Sequence, residues 1–463
     1  MERIFRLLET PLVWLSGYAA TRRINVQDTP SAETIGHSIS GFNLGRAISI
    51  PPKALEKHLY ILGSTGCGKT NFIMRLLEQD LARGQSVVIV DLRGDLIQRA
   101  LSLCVSQGVS PDRVTLLDLR EKDSIVGFNP LSGAGEPFVR ALHLQELIRH
   151  ESDSWGIQLD ETLRNCLLLL AHGNKPITDL ETLLFDHAYI NDLCARCEDS
   201  SVVSFFDRYV ALPEDKQLSW ALPVLNKVTP LLATPRLRAL LGAEKSLDLS
   251  QVLSTPGSVF LVSLAIDEFH GAARLIGSLV VSAITREMLS RVDTPEDKRN
   301  PVRLYVDEFE AMATDSFEGL IAEGRRFKLS LVLSHQNLHQ LPTKLRSVIR
   351  NNVGLQALFG CGSQDARELK SELPEDVTPE QLANFGVGEM LLMPRAGESN
   401  LVKCCLSTNQ VSPSKTVELR RSIFRRIGTP FEDVLNGIYN RKNPSILIHS
   451  LQQPWGLGGG LCE

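Results

Sequence analysis

Apolar positions along the chain follow two rhythms. From His58 to Leu119, short unbroken apolar runs alternate with stretches in which apolar residues recur every three to four positions. His58–Gly63 reads as a buried strand, Thr70–Arg83 as a helix, Ser86–Leu92 as a second strand and Arg113–Leu119 as a third, after another helix. Strands without alternation, joined through helices, predict a parallel sheet covered on both faces. At Phe128-Asn-Pro-Leu131 the rhythm changes, and residues 136–250 read as helices separated by Pro and by Asp/Ser breaks. The strand–helix alternation then resumes with Ser258–Ala265, helix 271–291, Arg303–Glu308, helix 316–327 and Leu329–Gln336, with later strands near Val353–Phe359 and Glu389–Met393.

The predicted class is therefore α/β, a mainly parallel central sheet interrupted by an all-α insertion. Residues 1–57 form an N-terminal helix and β-like lead-in that closes at Pro51-Pro52. Residues 58–135 and 251–411 are the two halves of the α/β domain, and 136–250 is the insertion. Residues 412–463 carry a basic helix with Arg420, Arg421, Arg425 and Arg426, then a flexible Gly-rich end from Trp455.

Composition adds mainly exclusions. The 463 residues are 43% hydrophobic and 22% charged, as in an ordinary globular protein, so disorder and coiled coil are ruled out as the main state. The net charge of −5 gives no overall attraction for nucleic acid, so any DNA contact has to be local. Nine scattered cysteines do not form a secreted disulfide framework and fit a reducing compartment; Cys194 and Cys197 lack companion ligands, and Cys404 and Cys405 read as structural. No run of 18 apolar residues is present, which predicts no ordinary transmembrane helix. Pro11–Ala20, bracketed by arginines and interrupted by nearby Glu9, reads as an amphipathic helix rather than an export signal.

Specific chemistry begins at Gly63-Ser-Thr-Gly-Cys-Gly-Lys-Thr70, which matches G-x-x-x-x-G-K-[ST] between a hydrophobic strand and a helix. Glycines allow successive backbone N–H groups to converge on a phosphate, and the helix N-terminus adds its positive dipole end. The residues of this nucleotide cradle are Gly63, Ser64, Thr65, Gly66, Cys67, Gly68, Lys69, Thr70 and Asn71. Lys69 is expected to neutralise β/γ-phosphate charge, and the Thr70 hydroxyl to ligate Mg²⁺.

A second signal narrows the reaction. The apolar strand Arg303–Val306 ends in Asp307-Glu308, which places Asp307 to hold the Mg²⁺ shell and Glu308 to orient or deprotonate the attacking water of ATP hydrolysis. No Asn-Lys-x-Asp guanine-reading motif is present, which demotes a GTPase. Gln336, at the end of the next apolar strand, can bond both γ-phosphate and water and act as a sensor. Arg325 reads equally as an arginine finger for a neighbouring subunit's γ-phosphate or as a solvated basic helix end. Arg326 shares that ambiguity.

With these residues in place, the chain resembles the HerA/FtsK superfamily of DNA-pumping ATPases, and within it the TraD/TraG-type coupling proteins of conjugative type IV secretion. The matching segments are His58–Thr70, Val88-Ile-Val-Asp-Leu-Arg-Gly-Asp-Leu96, Phe128-Asn-Pro-Leu131, Leu304–Phe309, Gly324–Arg326 through Ser334–Gln336, and Asn352 with Phe359, spanning about residues 40–410. The resemblance implies a RecA-like motor domain with an all-α domain, a homo-hexameric ring, ATP and Mg²⁺ as cofactors, and DNA as the cargo. By the same motif match Lys69, Glu308, Arg325 and Gln336 are catalytic, and Thr70 and Asp307 hold the metal. Partner classes are a relaxase, a nuclease or secretion-channel components. Many coupling proteins begin with two membrane-spanning helices, and this sequence shows no such run. The implied location is cytoplasmic, with peripheral contact at the inner membrane as the second placement. Two other functions compete: a nucleotide switch in a defence or regulatory complex, and a motor that moves protein.

Overall fold

The computed structural model describes residues 33–40, 43–150, 152, 154–312, 315–407 and 412–442. The expected Pro11–Ala20 helix, the Gly-rich end and Cys462 lie outside the described residues. The described residues divide into two compact units, one built from those up to Leu117 with Ser250–Ile423, the other from Asp118–Leu249 with those from Phe424 to residue 442.

The first unit is organised by a mixed sheet of eleven strands. They are β1 (Thr34–Ser38), β2 (Ala47–Ser49), β3 (Leu59–Leu62), β4 (Ser86–Asp91), β5 (Val114–Asp118), β7 (Val259–Ser263), β8 (Val302–Asp307), β9 (Leu329–His335), β10 (Leu355–Phe359), β11 (Glu389–Pro394) and β12 (Asn400–Cys404). Their spatial order is β2-β1-β12-β11-β10-β3-β9-β8-β4-β7-β5. From β10 through β7 every neighbouring pair is parallel, whereas β11, β12, β1 and β2 pair antiparallel. β3, β4, β7 and β9 are buried at every position, so both faces of the parallel region are covered. That explains why their sequences read as unbroken apolar runs. The fold is thus the α/β class expected from the pattern.

Helix Lys69–Ala82 leaves β3 and packs against helix Asp95–Ser106. Its inner end is held by a buried ion pair: Arg303 of β8 meets Asp80, which also accepts from the Tyr305 hydroxyl at 2.5 Å, and Arg303 Nε donates to Ser330 Oγ at 3.2 Å. Arg303 and Asp80 are 4% and 2% exposed, so truncating one strands the other's charge. Asp80→Ala should therefore cost about 3–5 kcal/mol and lower the thermal midpoint, whereas Asp80→Leu paired with Arg303→Met should recover part of the loss, the buried Tyr305 hydroxyl still lacking its acceptor. Equal midpoints for wild type and Asp80→Ala would contradict this.

The second unit is helical, with Pro137–His150, Ile157–His172, Leu180–Phe185, His187–Cys194, Ser200–Val210, Glu214–Val228, Pro235–Gly242 and Phe431–Lys442. Its core gathers Phe205, Phe206, Tyr209 and Trp220 at centroid distances of 5.2–6.4 Å. A two-stranded pair, β6 (Ser124–Ile125) with β13 (Thr429–Pro430), ties its two chain segments together, and Arg441 reaches Asp179 at 3.4 Å. The Phe128–Leu131 motif serves here: Asn129 Oδ1 accepts from Leu131 N, and the buried Arg140 donates to the carbonyls of Leu131, Gly135 and Ala171. No helix among the described residues is long and apolar enough to cross a membrane.

Candidate functional site: a phosphate loop and its carboxylates

Parallel strands end together, so β3, β4, β8 and β9 deliver Gly63, Asp91, Asp307 and Gln336 to one edge of the sheet. The loop after β3 is built for close backbone approach. A Cβ at Gly63 would stand 2.6 Å from Phe359 Cβ and 2.7 Å from Cys67 Sγ, and Gly68 adopts φ +112°, which disfavours a side chain. Ser64 N donates to Gly360 O at 2.9 Å, and Phe72 packs on Phe359 at 5.9 Å, fixing the loop against β10. Lys69 is buried, its ammonium donating to the carbonyls of Gly63 (2.5 Å) and Ser64 (3.0 Å), which keeps the charge over the loop. Thr70 and Asn71 begin the helix, and Asn71 Oδ1 accepts from Arg99 at 2.8 Å.

The carboxylates face this loop. Asp307 ends β8, and burial, together with the charges of Asp91 and Glu308, raises its pKa. Asp91 is also raised by burial, although it accepts backbone N–H bonds from Arg93 (2.9 Å) and Leu96 (2.8 Å). Glu310, pushed up to about 7 mainly by burial, is partly protonated at neutral pH and so places less charge behind the site. Glu308 sits at φ +53°, a left-handed conformation that costs a non-glycine residue roughly 1 kcal/mol or more and is characteristic of functional positions.

Glu308 is joined to the loop by a chain of hydrogen bonds. Thr65 Oγ1 donates to Gln336 Oε1 at 2.8 Å, and Gln336 Nε2 donates to Glu308 Oε1 at 2.9 Å. On its other side Glu308 pairs with Arg93 at 3.1 Å. Behind Gln336, His335 is buried against Phe309 and bonded to Tyr60, and burial lowers its pKa to about 3, so the ring is neutral.

The residues present fit a magnesium–nucleotide group. Asp307 is a buried carboxylate made costly by its acidic neighbours, a cost that a divalent cation would relieve. Among the described residues no group of three or more His, Cys, Asp or Glu could hold a metal alone. Mg²⁺ takes one or two protein oxygens and completes its shell with phosphate and water. Thr70 and Asp307 would be the protein ligands.

Gly63 through Asn71, Asp307, Glu308 and Gln336 thus share one edge of the sheet. Arg325 does not join them. It lies in the turn before β9, near His58, whose pKa is lowered to about 4 by burial with a contribution from the Arg325 charge. The seven-residue β9 separates it from Gln336 by roughly 20 Å. Arg326 lies over the Phe327 ring at 6.0 Å. Arg93 was not singled out by sequence reasoning. Its signal was present in Asp91-Leu-Arg-Gly-Asp95, but its partner is 215 residues away.

The fold is a RecA-like α/β sheet with an all-α unit, and the loop after β3 carries the sequence and the backbone geometry of a phosphate loop. Residues 44–131 match the family model described as the type IV secretion-system coupling protein DNA-binding domain. Among solved structures, the chain is similar to the bacterial conjugative coupling protein TrwBΔN70 in its unbound monoclinic form, at 18% identity and a TM-score of 0.56, over 79% of this chain and 88% of that one. TrwB in complex with the non-hydrolysable ATP analogue ADPNP gives 18% identity and a TM-score of 0.57 over the same shares. VirB4 of Thermoanaerobacter pseudethanolicus gives 14% identity and a TM-score of 0.55, over 83% of this chain and 97% of that one. No curated protein matches the chain.

Proposed function

We propose that this protein hydrolyses ATP and uses the cycle to move DNA through a homo-hexameric ring, in conjugative transfer or related DNA processing. The observation that carries the reading is the chain Thr65–Gln336–Glu308, which couples the phosphate loop to the water-activating carboxylate across two strands. A phosphate entering the loop competes for Thr65, and Gln336 then turns toward phosphate and water, releasing Glu308 from one of its two holders. Lys69 neutralises β/γ charge, Thr70 and Asp307 hold the cation, and Glu308 takes the water proton. Bound Mg²⁺ supplies charge stabilisation at the transferred phosphate. The match of residues 44–131 to a coupling-protein DNA-binding domain, and TrwB's crystallisation with ADPNP, support this reading.

Arg325 is assigned as the finger acting on a neighbour's site, since its own site is too far and Arg326 is engaged with Phe327. Turnover should rise several-fold with DNA and the protein should form a hexamer with nucleotide. Arg325→Ala should lose about 10³-fold in rate, and mixing it with Lys69→Ala should restore part of the activity, because intact sites then meet intact fingers. Rates indifferent to single- and double-stranded DNA would favour a nucleotide switch or a protein motor, and absence of recovery on mixing would remove the finger assignment.

A further inference from the structure

Sheet order gives the phosphate loop two unlike flanks. On one side of β3 lie β9 and β8 with Gln336, Asp307 and Glu308; on the other lie β10 and β11. If the γ-phosphate points toward the carboxylates, the nucleoside leaves the loop on the β10/β11 flank. There the turn Gly386-Val387-Gly388 rests directly on the loop: Gly388 N donates to Cys67 O at 2.7 Å, and a Cβ at Gly68 would come within 3.0 Å of Gly388 Cα and N. The contact is between backbones, so a side chain at Gly68 would push the turn away from the loop.

This turn is rigidly held. Gly386 N donates to Glu389 Oε2 at 2.8 Å, Lys403 Nζ donates to Val387 O at 2.7 Å and lies 3.5 Å from Glu389 Oε1, and Cys404 N donates to Gly388 O at 2.8 Å. Yet the side chain it presents, Val387, is 68% exposed. An exposed apolar residue fixed one hydrogen bond from a phosphate cradle, on the flank where the nucleoside emerges, has the features of a base-packing wall.

We infer that the Gly386–Gly388 turn forms one wall of the base site, with Val387 packing against the purine ring of the bound nucleoside triphosphate. The inference rests on Gly63–Thr70 being the phosphate loop and deepens that reading by assigning the nucleoside half of the site. Because Val387 is exposed and its backbone bonds do not involve its side chain, Val387→Asn leaves the fold intact.

The test is calorimetric titration of the full-length protein with Mg-ATP and, separately, with Mg-tripolyphosphate, which has the phosphates but no base. Val387→Asn, which removes the apolar contact without adding a charge beside the phosphates, should weaken Mg-ATP about ten-fold, the scale of one apolar contact in a binding pocket, and leave Mg-tripolyphosphate unchanged. Val387→Ala should give a smaller loss in the same direction. Unchanged Mg-ATP binding in Val387→Asn, or equal weakening of both ligands, would overturn the base-wall assignment. Lys69→Ala separates this from the underlying reading, since it should weaken both ligands; if it weakened neither, the phosphate loop itself would be misassigned.

Discussion

Glu308→Gln should bind ATP with nearly wild-type affinity and hydrolyse it about 10²–10⁴-fold more slowly, the usual contribution of a positioned general base. The substitution keeps side-chain length and an oxygen that can still accept from Gln336 Nε2, so the Thr65–Gln336 link survives. It removes the basicity that draws the proton from water, and with it the charge that pairs with Arg93 at 3.1 Å. Loss of that ion pair has little effect on stability, since the Arg93 side chain is 64% exposed. Rapid-quench single-turnover rates, alongside equilibrium binding, separate the two effects. A variant that hydrolysed at the normal rate would transfer the water-activating role to another group, and Glu310 would be the next to test.

Lys69→Ala should lower turnover by about 10²–10³-fold or more and weaken nucleotide binding as well, because the ammonium faces both the ground-state phosphates and the charge that develops during transfer. Its two partners here are the carbonyls of Gly63 and Ser64, which form a ready-made holder for a cation above the loop. Lys69→Arg is the sharper probe. It retains the charge, but a planar guanidinium cannot occupy the space of a compact ammonium against these two carbonyls, so its activity should also fall steeply. Unaltered secondary structure by circular dichroism would show that both variants remain folded. Near-normal turnover in Lys69→Ala would be incompatible with the phosphate-loop chemistry.

Much of the site could be read from contiguous residues. Strand, Gly-rich loop and helix lie within His58–Ala82, and the acidic pair follows directly on an apolar strand, so local spacing alone pointed to a phosphate loop and a hydrolytic carboxylate. The helical character of the central segment was equally plain from its apolar period. The role of Arg93 was not legible, because a charge beside a glycine has no preferred partner until Glu308 is brought next to it. Nor was the turn at Val387, whose meaning depends on Gly388 meeting Cys67.

The same division holds for the fold. Periodicity specifies which segments are strands and helices because burial of a strand or helix face is a local property of the chain. It does not specify neighbours. β1, from before the phosphate loop, pairs with β12 from beyond residue 399, and the helix Phe431–Lys442 joins the all-α unit rather than the α/β unit. Gln336 meets Thr65 across 271 positions, while Arg325, only eleven residues before Gln336, lies at the opposite edge because β9 runs between them. Residue types and local periods were set by the sequence. The direction of each strand and its place in the sheet, which bring distant side chains within hydrogen-bonding distance, were settled only when the chain closed on itself.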